Sequence, residues 1–242
     1  MGIIYGKNPV LEAISSGTTI NKIYAQTSNK EIDSVIKEAL KRKIIVVNTD
    51  KQKLDKMIDG KNSQGIIASI TDFKYSEVSE IIEYAKSKSE LPFIVILDKI
   101  EDPHNLGAII RSCECMGVHG VIIQKRNACQ ITDTVEKVAA GACSYVKVAR
   151  VTNITESIKE LKKNGLWIYG LDMNGESEVY NTKLEGAIGI VVGNEGSGIS
   201  RLVKENCDAL MKIPMTGKIN SLNASVSVAI TIYEVVRQKN IK

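Results

Sequence analysis

Beyond residue 90 the chain contains "PFIVILD", an unbroken apolar run. A strand of this kind does not alternate, so it buries both of its faces. The usual setting for such a strand is a parallel sheet covered by helices on both sides. The following segments keep the same alternation: a helix over Asn105 to Cys115, strand "GVIIQ", helix "TDTVEKVAAGA", strand "YVKVARV", helix "ITESIKELKKNG" and strand "LWIYGLD". Strand "AIGIVVG", a short helix near "SRLVKENC", strand "ALMKIPM" and a helix from Ser221 to Arg237 complete it. This rhythm predicts an open, mostly parallel α/β sheet whose ligands bind outside the carboxyl ends of the strands.

The first 70 residues form a second, smaller α/β pattern. "GKNPVLEAISSG" is a helix with Val10, Leu11 and Ile14 on one face, followed by strand "KIYAQ", helix "KEIDSVIKEALKRK" and strand "IIVV". "DKQKLDKMIDG" is a helix with an Asp N-cap and a terminal Gly, and "GIIASI" is a strand. The expected division is a domain over 1–72, a polar, helix-prone linker over 73–90, and a larger domain over 91–242.

At 242 residues, 43% hydrophobic and 25% charged, the chain can build real cores and is not of the disordered class. Its net charge of +4 is uneven, with 12 Lys/Arg against 8 Asp/Glu in residues 1–75. A basic N-terminal segment fits a polyanion such as nucleic acid, although a solvated Lys-rich surface has the same count. Lys41, Arg42 and Lys43 are candidates for phosphate contact, and equally for ordinary complementation of a helix C-terminus. Cys113, Cys115, Cys129, Cys143 and Cys207 form no CxxC pair, and their odd number argues against a disulfide framework. With only His104 and His119 to help, a zinc site would need unusual ligands. No secretory leader or membrane span is evident. A reduced, cytoplasmic, metal-free protein is expected.

Three polar loops leave strand ends. In "LDKIEDPHNLGAIIRSCECMG", Asn105 opens a helix and Arg111 follows six residues later; each could be a ligand contact, or an N-cap and a surface charge. In "IGIVVGNEGSGIS", Gly193, Asn194, Glu195, Gly196 and Gly198 let backbone approach a ligand closely, yet the spacing is neither GxGxxG nor a Walker loop. In "IPMTGKINSLNASVSVAI", Ser221 is a plausible N-cap, and Asn223 could satisfy orphan N–H groups in the first turn.

Together and in this order, "DPHNLGAIIR", "GNEGSGIS" and "IPMTGKINSLNASVSVAI" resemble the three motifs of the SpoU (TrmH-like) branch of SPOUT RNA methyltransferases, over about Leu91 to Lys242. "YGKNPVLEAI" and "SQGIIA" look like the L30e-type substrate-binding domain of the 23S rRNA guanosine 2′-O-methyltransferases. Ser63 departs from a His often found there. The resemblance implies a C-terminal α/β-knot, a parallel sheet with a deep trefoil knot. It implies S-adenosylmethionine as cofactor, methyl transfer to a ribose 2′-OH, RNA as partner and a homodimer. It assigns catalysis to Asn105, Arg111, Glu195, Ser221 and Asn223. The cofactor would lie against Gly193, Asn194, Glu195, Gly196, Ile213, Met215, Ser221, Leu222 and Asn223, and a ligand would complete the hydrogen bonds of Ser221 and Asn223. Arg111 matches the residue proposed as base; with a free pKa above about 12, it suits gripping a phosphate and the 2′-oxygen better. Alternatives are a tRNA guanosine 2′-O-methyltransferase and a non-catalytic knotted RNA-binding protein. A nucleotide-binding oxidoreductase lacks its glycine fingerprint.

Overall fold

The computed structural model describes residues 2–71, 73–218 and 221–240. The chain divides into two units, Met1–Lys74 and Tyr75–Lys242.

The first unit contains β1 (Gly2–Tyr5), α1 (Lys7–Ser15), β2 (Ile20–Ala25), α2 (Asp33–Lys41), β3 (Val46–Asn48), α3 (Lys51–Met57) and β4 (Ile66–Ile70). Its sheet order is β1-β4-β2-β3, with β4 antiparallel to both neighbours and β2 parallel to β3. Val10, Ala13 and Ile14 of α1 and Val35 and Ala39 of α2 bury their faces with Ile23, Ala25, Ile66 and Ala68. Asp50 caps α3 as expected, its Oδ1 accepting from Lys53 N at 2.9 Å. Ser63 is fully buried. Its Oγ donates to Asp55 Oδ1 at 2.7 Å, so this residue pins the turn before β4. Arg42 pairs with Glu38 at 2.8 Å and donates to the Ile14 carbonyl, which ties α2 to α1.

The second unit contains α4 (Val78–Ser87), β5 (Phe93–Asp98), α5 (Pro103–Cys115), β6 (Gly120–Gln124), α6 (Asp133–Ala139), β7 (Lys147–Val151), α7 (Ile154–Lys163), β8 (Trp167–Leu171), β9 (Ser177–Glu178), β10 (Ile188–Gly193), α8 (Arg201–Lys204), β11 (Ala209–Lys212) and α9 (Ala224–Asn240). Seven strands form one sheet in the order β7-β6-β5-β10-β8-β11-β9, and every recorded pairing is parallel. β10 inserts between β5 and β8, the chain crosses β8 to make β11, and α9 returns to pack on α5 and β10. All six residues of β5 and of β10 are buried, as a doubly covered sheet requires.

Two expectations need correction. The stretch 73–90 is not a linker around a solvated helix. Val78, Ile81, Ile82 and Ala85 of α4 recur at helical spacing and are buried, the first three in one core cluster with Ile94, Ile96 and Ile122. The division falls after Lys74, and α4 belongs to the larger unit. The last helix also starts later than expected, at Ala224 rather than Ser221. Ile219 and Asn220, within the third loop, lie outside the described residues.

Candidate active site

The carboxyl ends of β5 and β10 are level, with Asp98 opposite Gly193 in the register. From β5 the chain enters α5 through an ordered start. Asp102 is the N-cap, Pro103 follows it, and Asp102 Oδ2 accepts from Asn105 N at 2.9 Å. This cap fixes Asn105 in the first turn, 8% exposed.

From β10 the chain turns back sharply on itself. Gly198 N donates to the Asn194 carbonyl and Gly196 N to Asn194 Oδ1, both at 2.8 Å. Ser200 N donates to Asp98 Oδ2 at 2.7 Å, which fastens the far end of the loop to β5. A Cβ on Gly193 would lie 2.1 Å from the carbonyl carbon of Gly198, so only glycine permits this approach.

The turn presents Glu195 to two other segments. Glu195 Oε1 accepts from Asn105 Nδ2 at 2.5 Å, Asn223 Nδ2 at 3.4 Å and Ala224 N at 3.3 Å. Asn223 Nδ2 also donates to Asn105 Oδ1 at 2.8 Å. Asn223 Oδ1 accepts from Ser225 N at 3.0 Å and Ser225 Oγ at 2.6 Å, so Asn223, not Ser221, caps α9. Three residues from three separate loops thus close one hydrogen-bonded triangle. Glu195 Oε2 has no partner among the described residues.

Beside this triangle lies an open cleft of about 210 Å³. Gly193, Asn194, Glu195, Gly196, Ile213, Met215, Ser221 and Leu222 all line it. Asn223 is not among these lining residues; its side chain bonds Asn105, Glu195 and Ser225. Asn105 likewise bonds Glu195 and Asn223 and makes no bond to Arg111. Arg111 is exposed and makes no hydrogen bond or ion pair among the described residues. Ser221 is exposed, and the backbone N–H groups of Met215 and Leu222 have no partner among the described residues. Apolar side chains with free backbone donors beside them suit a flat heteroaromatic ligand.

The loop after β8, which no sequence motif marks, also contributes to the cleft. Leu171, Asp172, Met173 and Asn174 line the cleft, as does Lys204 of α8. Asp172 forms an ion pair with Lys204 through Oδ2 and accepts from Asn174 N at 3.0 Å through Oδ1. Burial opposes ionisation of this carboxyl, but the Lys204 ammonium and the Asn174 N–H outweigh it and hold its pKa below the ordinary value. The usable signal was position: "LWIYGLDMNG" is another strand ending in a polar loop. Among the described residues, no three His, Cys, Asp or Glu are grouped to hold a metal, and no helix is long and apolar enough to cross a membrane.

A parallel α/β sheet with a cleft at its strand ends defines a class, and comparison with known proteins gives that class a family. Residues 92–233 match the SpoU rRNA Methylase family, and residues 3–76 match RNA 2′-O ribose methyltransferase substrate binding. A chain named as a TrmH family tRNA/rRNA methyltransferase, YacO of Bacillus subtilis (strain 168), is 40% identical over 239 residues, covering 98% of this chain and 96% of that one. Among solved structures, the SpoU methyltransferase AviRb from Streptomyces viridochromogenes, in complex with the cofactor AdoMet, aligns with TM-score 0.64 at 20% identity. That match covers 99% of this chain and 91% of AviRb. The A. aeolicus TrmH/SpoU tRNA modifying enzyme aligns with TM-score 0.57 at 28% identity, covering 68% of this chain and 85% of its own. The chain belongs to the SpoU rRNA Methylase family and is an RNA methyltransferase of that family.

Proposed function

We propose that the protein transfers a methyl group from S-adenosylmethionine to the ribose 2′-hydroxyl of a guanosine in 23S rRNA. The observation that carries this reading is the Asn105–Glu195–Asn223 triangle on the rim of the cleft. The residues of the cleft fit the cofactor. Ile213, Met215 and Leu222 offer apolar surface for adenine, the backbone N–H groups of Met215 and Leu222 are unpartnered among the described residues, and Gly193 lines the same cleft. When bound, the cofactor supplies an electrophilic methyl on a sulfonium sulfur.

The chain's own residues position and polarise the nucleophile. Asn105 and Asn223 occupy one oxygen of Glu195 and so fix its carboxylate, leaving Oε2 to accept from the ribose or to face the sulfonium. Arg111, charged and without a partner among the described residues, is available to grip an RNA phosphate and to stabilise negative charge growing on the 2′-oxygen. Ser221 lines the cleft, and its hydroxyl has no partner among the described residues, which leaves it for the same substrate. The first unit, with its excess of Lys and Arg, would hold the RNA through phosphate contacts.

Two further features belong to this reading. β10 lies between β5 and β8, and α9 returns beyond β11 to α5; this route supports a deep trefoil knot. Val226, Ile230 and Tyr233 of α9 are exposed at spacings of four and three, an apolar stripe that supports a homodimer. Replacing Ile230 with Glu should convert the dimer to monomer in light scattering; a wild-type monomer would remove the dimer from the reading.

The assay offers labelled S-adenosylmethionine with protein-free, unmodified 23S rRNA and with bulk unmodified tRNA, followed by nuclease mapping. A 2′-O-methylguanosine in 23S rRNA alone is the expected result. Label confined to tRNA would keep the chemistry and replace the substrate. Cofactor binding without label in either RNA would overturn the proposed free-rRNA substrate.

A further inference from the structure

The Asp172–Lys204 ion pair has no part in the chemistry described above, yet it forms part of the wall of the same cleft. Its surroundings are built with care. Asp172 N donates to the Met211 carbonyl, and Gly175 N returns to the Asp172 carbonyl, both at 2.9 Å. The carboxylate is nearly enclosed, with the Lys204 side chain on one oxygen and Asn174 N on the other. Lys204 keeps about a third of its side chain exposed, and Asp172 is its only ion-pair partner among the described residues. An ammonium carries three donors, so two remain free to face the cleft.

A buried ion pair is seldom justified by stability alone, because apolar residues of similar volume usually serve as well or better. Much of the surrounding wall is apolar: Leu171, Ile213, Met215 and Leu222. A neighbouring pair of opposite charges in such a wall suits a ligand that carries both signs side by side. The α-amino acid end of S-adenosylmethionine is such a group. Set antiparallel against the pair, its carboxylate meets Lys204 and its ammonium meets Asp172. No net charge is added to the cleft, which limits the desolvation cost.

We propose that Asp172 and Lys204 form the subsite for the zwitterionic amino-acid end of the cofactor and so set the preference for the complete cofactor over adenosine fragments. The inference rests on the cofactor reading given above. The pair lies against the loop that carries Glu195, since a Cβ on Gly198 would come within 3.9 Å of Asp172 Oδ2. Filling the subsite would therefore be felt by the loop that holds the triangle.

The test is calorimetric titration of the full chain with S-adenosylhomocysteine, with 5′-methylthioadenosine, which lacks the amino-acid end, and with decarboxylated S-adenosylmethionine, which lacks only the carboxylate. The wild type should bind S-adenosylhomocysteine at least tenfold more tightly than 5′-methylthioadenosine. Lys204→Met should weaken S-adenosylhomocysteine about tenfold while changing the other two less than twofold, and Asp172→Asn should weaken both ligands that carry the ammonium. Retained 5′-methylthioadenosine binding certifies the fold of each variant. If Lys204→Met does not fold, Lys204→Arg serves instead, and it should preserve the preference. Equal loss on all three ligands would show that the pair only fastens loops together, and equal wild-type affinities would overturn the subsite outright. A wild type that binds no adenosyl ligand would fail differently, by removing the cofactor reading itself.

Discussion

The two ends of the seven-stranded sheet both pair a polar side chain with a glutamate, and they do so to different ends. At the carboxyl end, Glu195 gathers Asn105 and Asn223 from loops 90 and 28 residues away in sequence. At the amino end, buried His119 accepts from Phe93 N at Nδ1 and faces Glu90 Oε2 at Nε2, both at 3.0 Å. His119 holds the first backbone N–H of β5 and has no nitrogen to spare. The triangle holds side chains to one another and to the start of α9, beside a cleft, and leaves Glu195 Oε2 open. The histidine is built into the sheet, and the triangle stands beside it. Changes at the carboxyl end should therefore alter turnover more than stability, and changes at the amino end the reverse.

The strongest test of this contrast is Arg111→Ala. Arg111 is exposed and makes no hydrogen bond or ion pair among the described residues, so its removal should leave the melting temperature unchanged while methyl transfer falls by about 10³-fold, or roughly 4 kcal/mol of transition-state stabilisation. Single-turnover rates with saturating cofactor, beside S-adenosylhomocysteine titration, separate the two. Loss of rate and cofactor affinity in equal measure would mean that Arg111 acts elsewhere.

Gly193→Ala should blur the contrast, because here the site and the fold share an atom. The new Cβ would fall 2.1 Å from the Gly198 carbonyl carbon, and the loop must move. Overpacking of this kind costs about 1–3 kcal/mol, and cofactor affinity should fall by roughly tenfold or more. Thermal melting with and without S-adenosylhomocysteine checks both. Unchanged binding would mean that the tight turn has no role in the cleft.

Asn223→Ala is milder. It removes the α9 cap, worth about 1 kcal/mol, and one of the donors to Glu195. Cofactor affinity should fall by about threefold to tenfold, with a larger fall in rate as Glu195 loosens. If both are unchanged, the triangle is ornamental and Asn223 is only a cap.

Why the sequence disclosed one of these layers better than the other follows from the distance over which each interaction acts. β5 and β10 were legible because burial on both faces leaves unbroken apolar runs. α4 was misread, although Val78, Ile81, Ile82 and Ala85 stand at helical spacing; the charged residues between them masked an amphipathic core helix as a linker. Gly193 and Glu195 were marked by their place at a strand end. Asn223 was marked too, but its closure onto Asn105, 118 residues upstream, is a tertiary event with no local signature. Asp172 obeyed the same strand-end rule as the three loops selected, and was passed over because no motif drew attention to it.

The smallest expected effect lies at the amino end and concerns pH. Burial pushes the His119 pKa below its ordinary value of 6.5, and the carboxylate of Glu90 opposes that shift without overcoming it. Lys88 and Lys239 also face the ring and disfavour its charge, and Tyr84 packs against it edge-on. The hydrogen bonds agree: Nδ1 accepts from Phe93 N, so a proton added there would set two donors against each other. The unfolded chain therefore binds this proton more readily than the folded one. The His119 contribution is complete above pH 6.5 and declines as pH falls toward the folded-state value. His119→Gln can keep an acceptor for Phe93 N and a donor for Glu90 without titrating. Its denaturation free energy should drop less than that of the wild type between pH 7.5 and 5.5, while methyl transfer at pH 7.5 stays the same. Parallel pH slopes would show that His119 does not titrate differently on folding, and an altered rate at pH 7.5 would erase the division of labour between the two ends of the sheet.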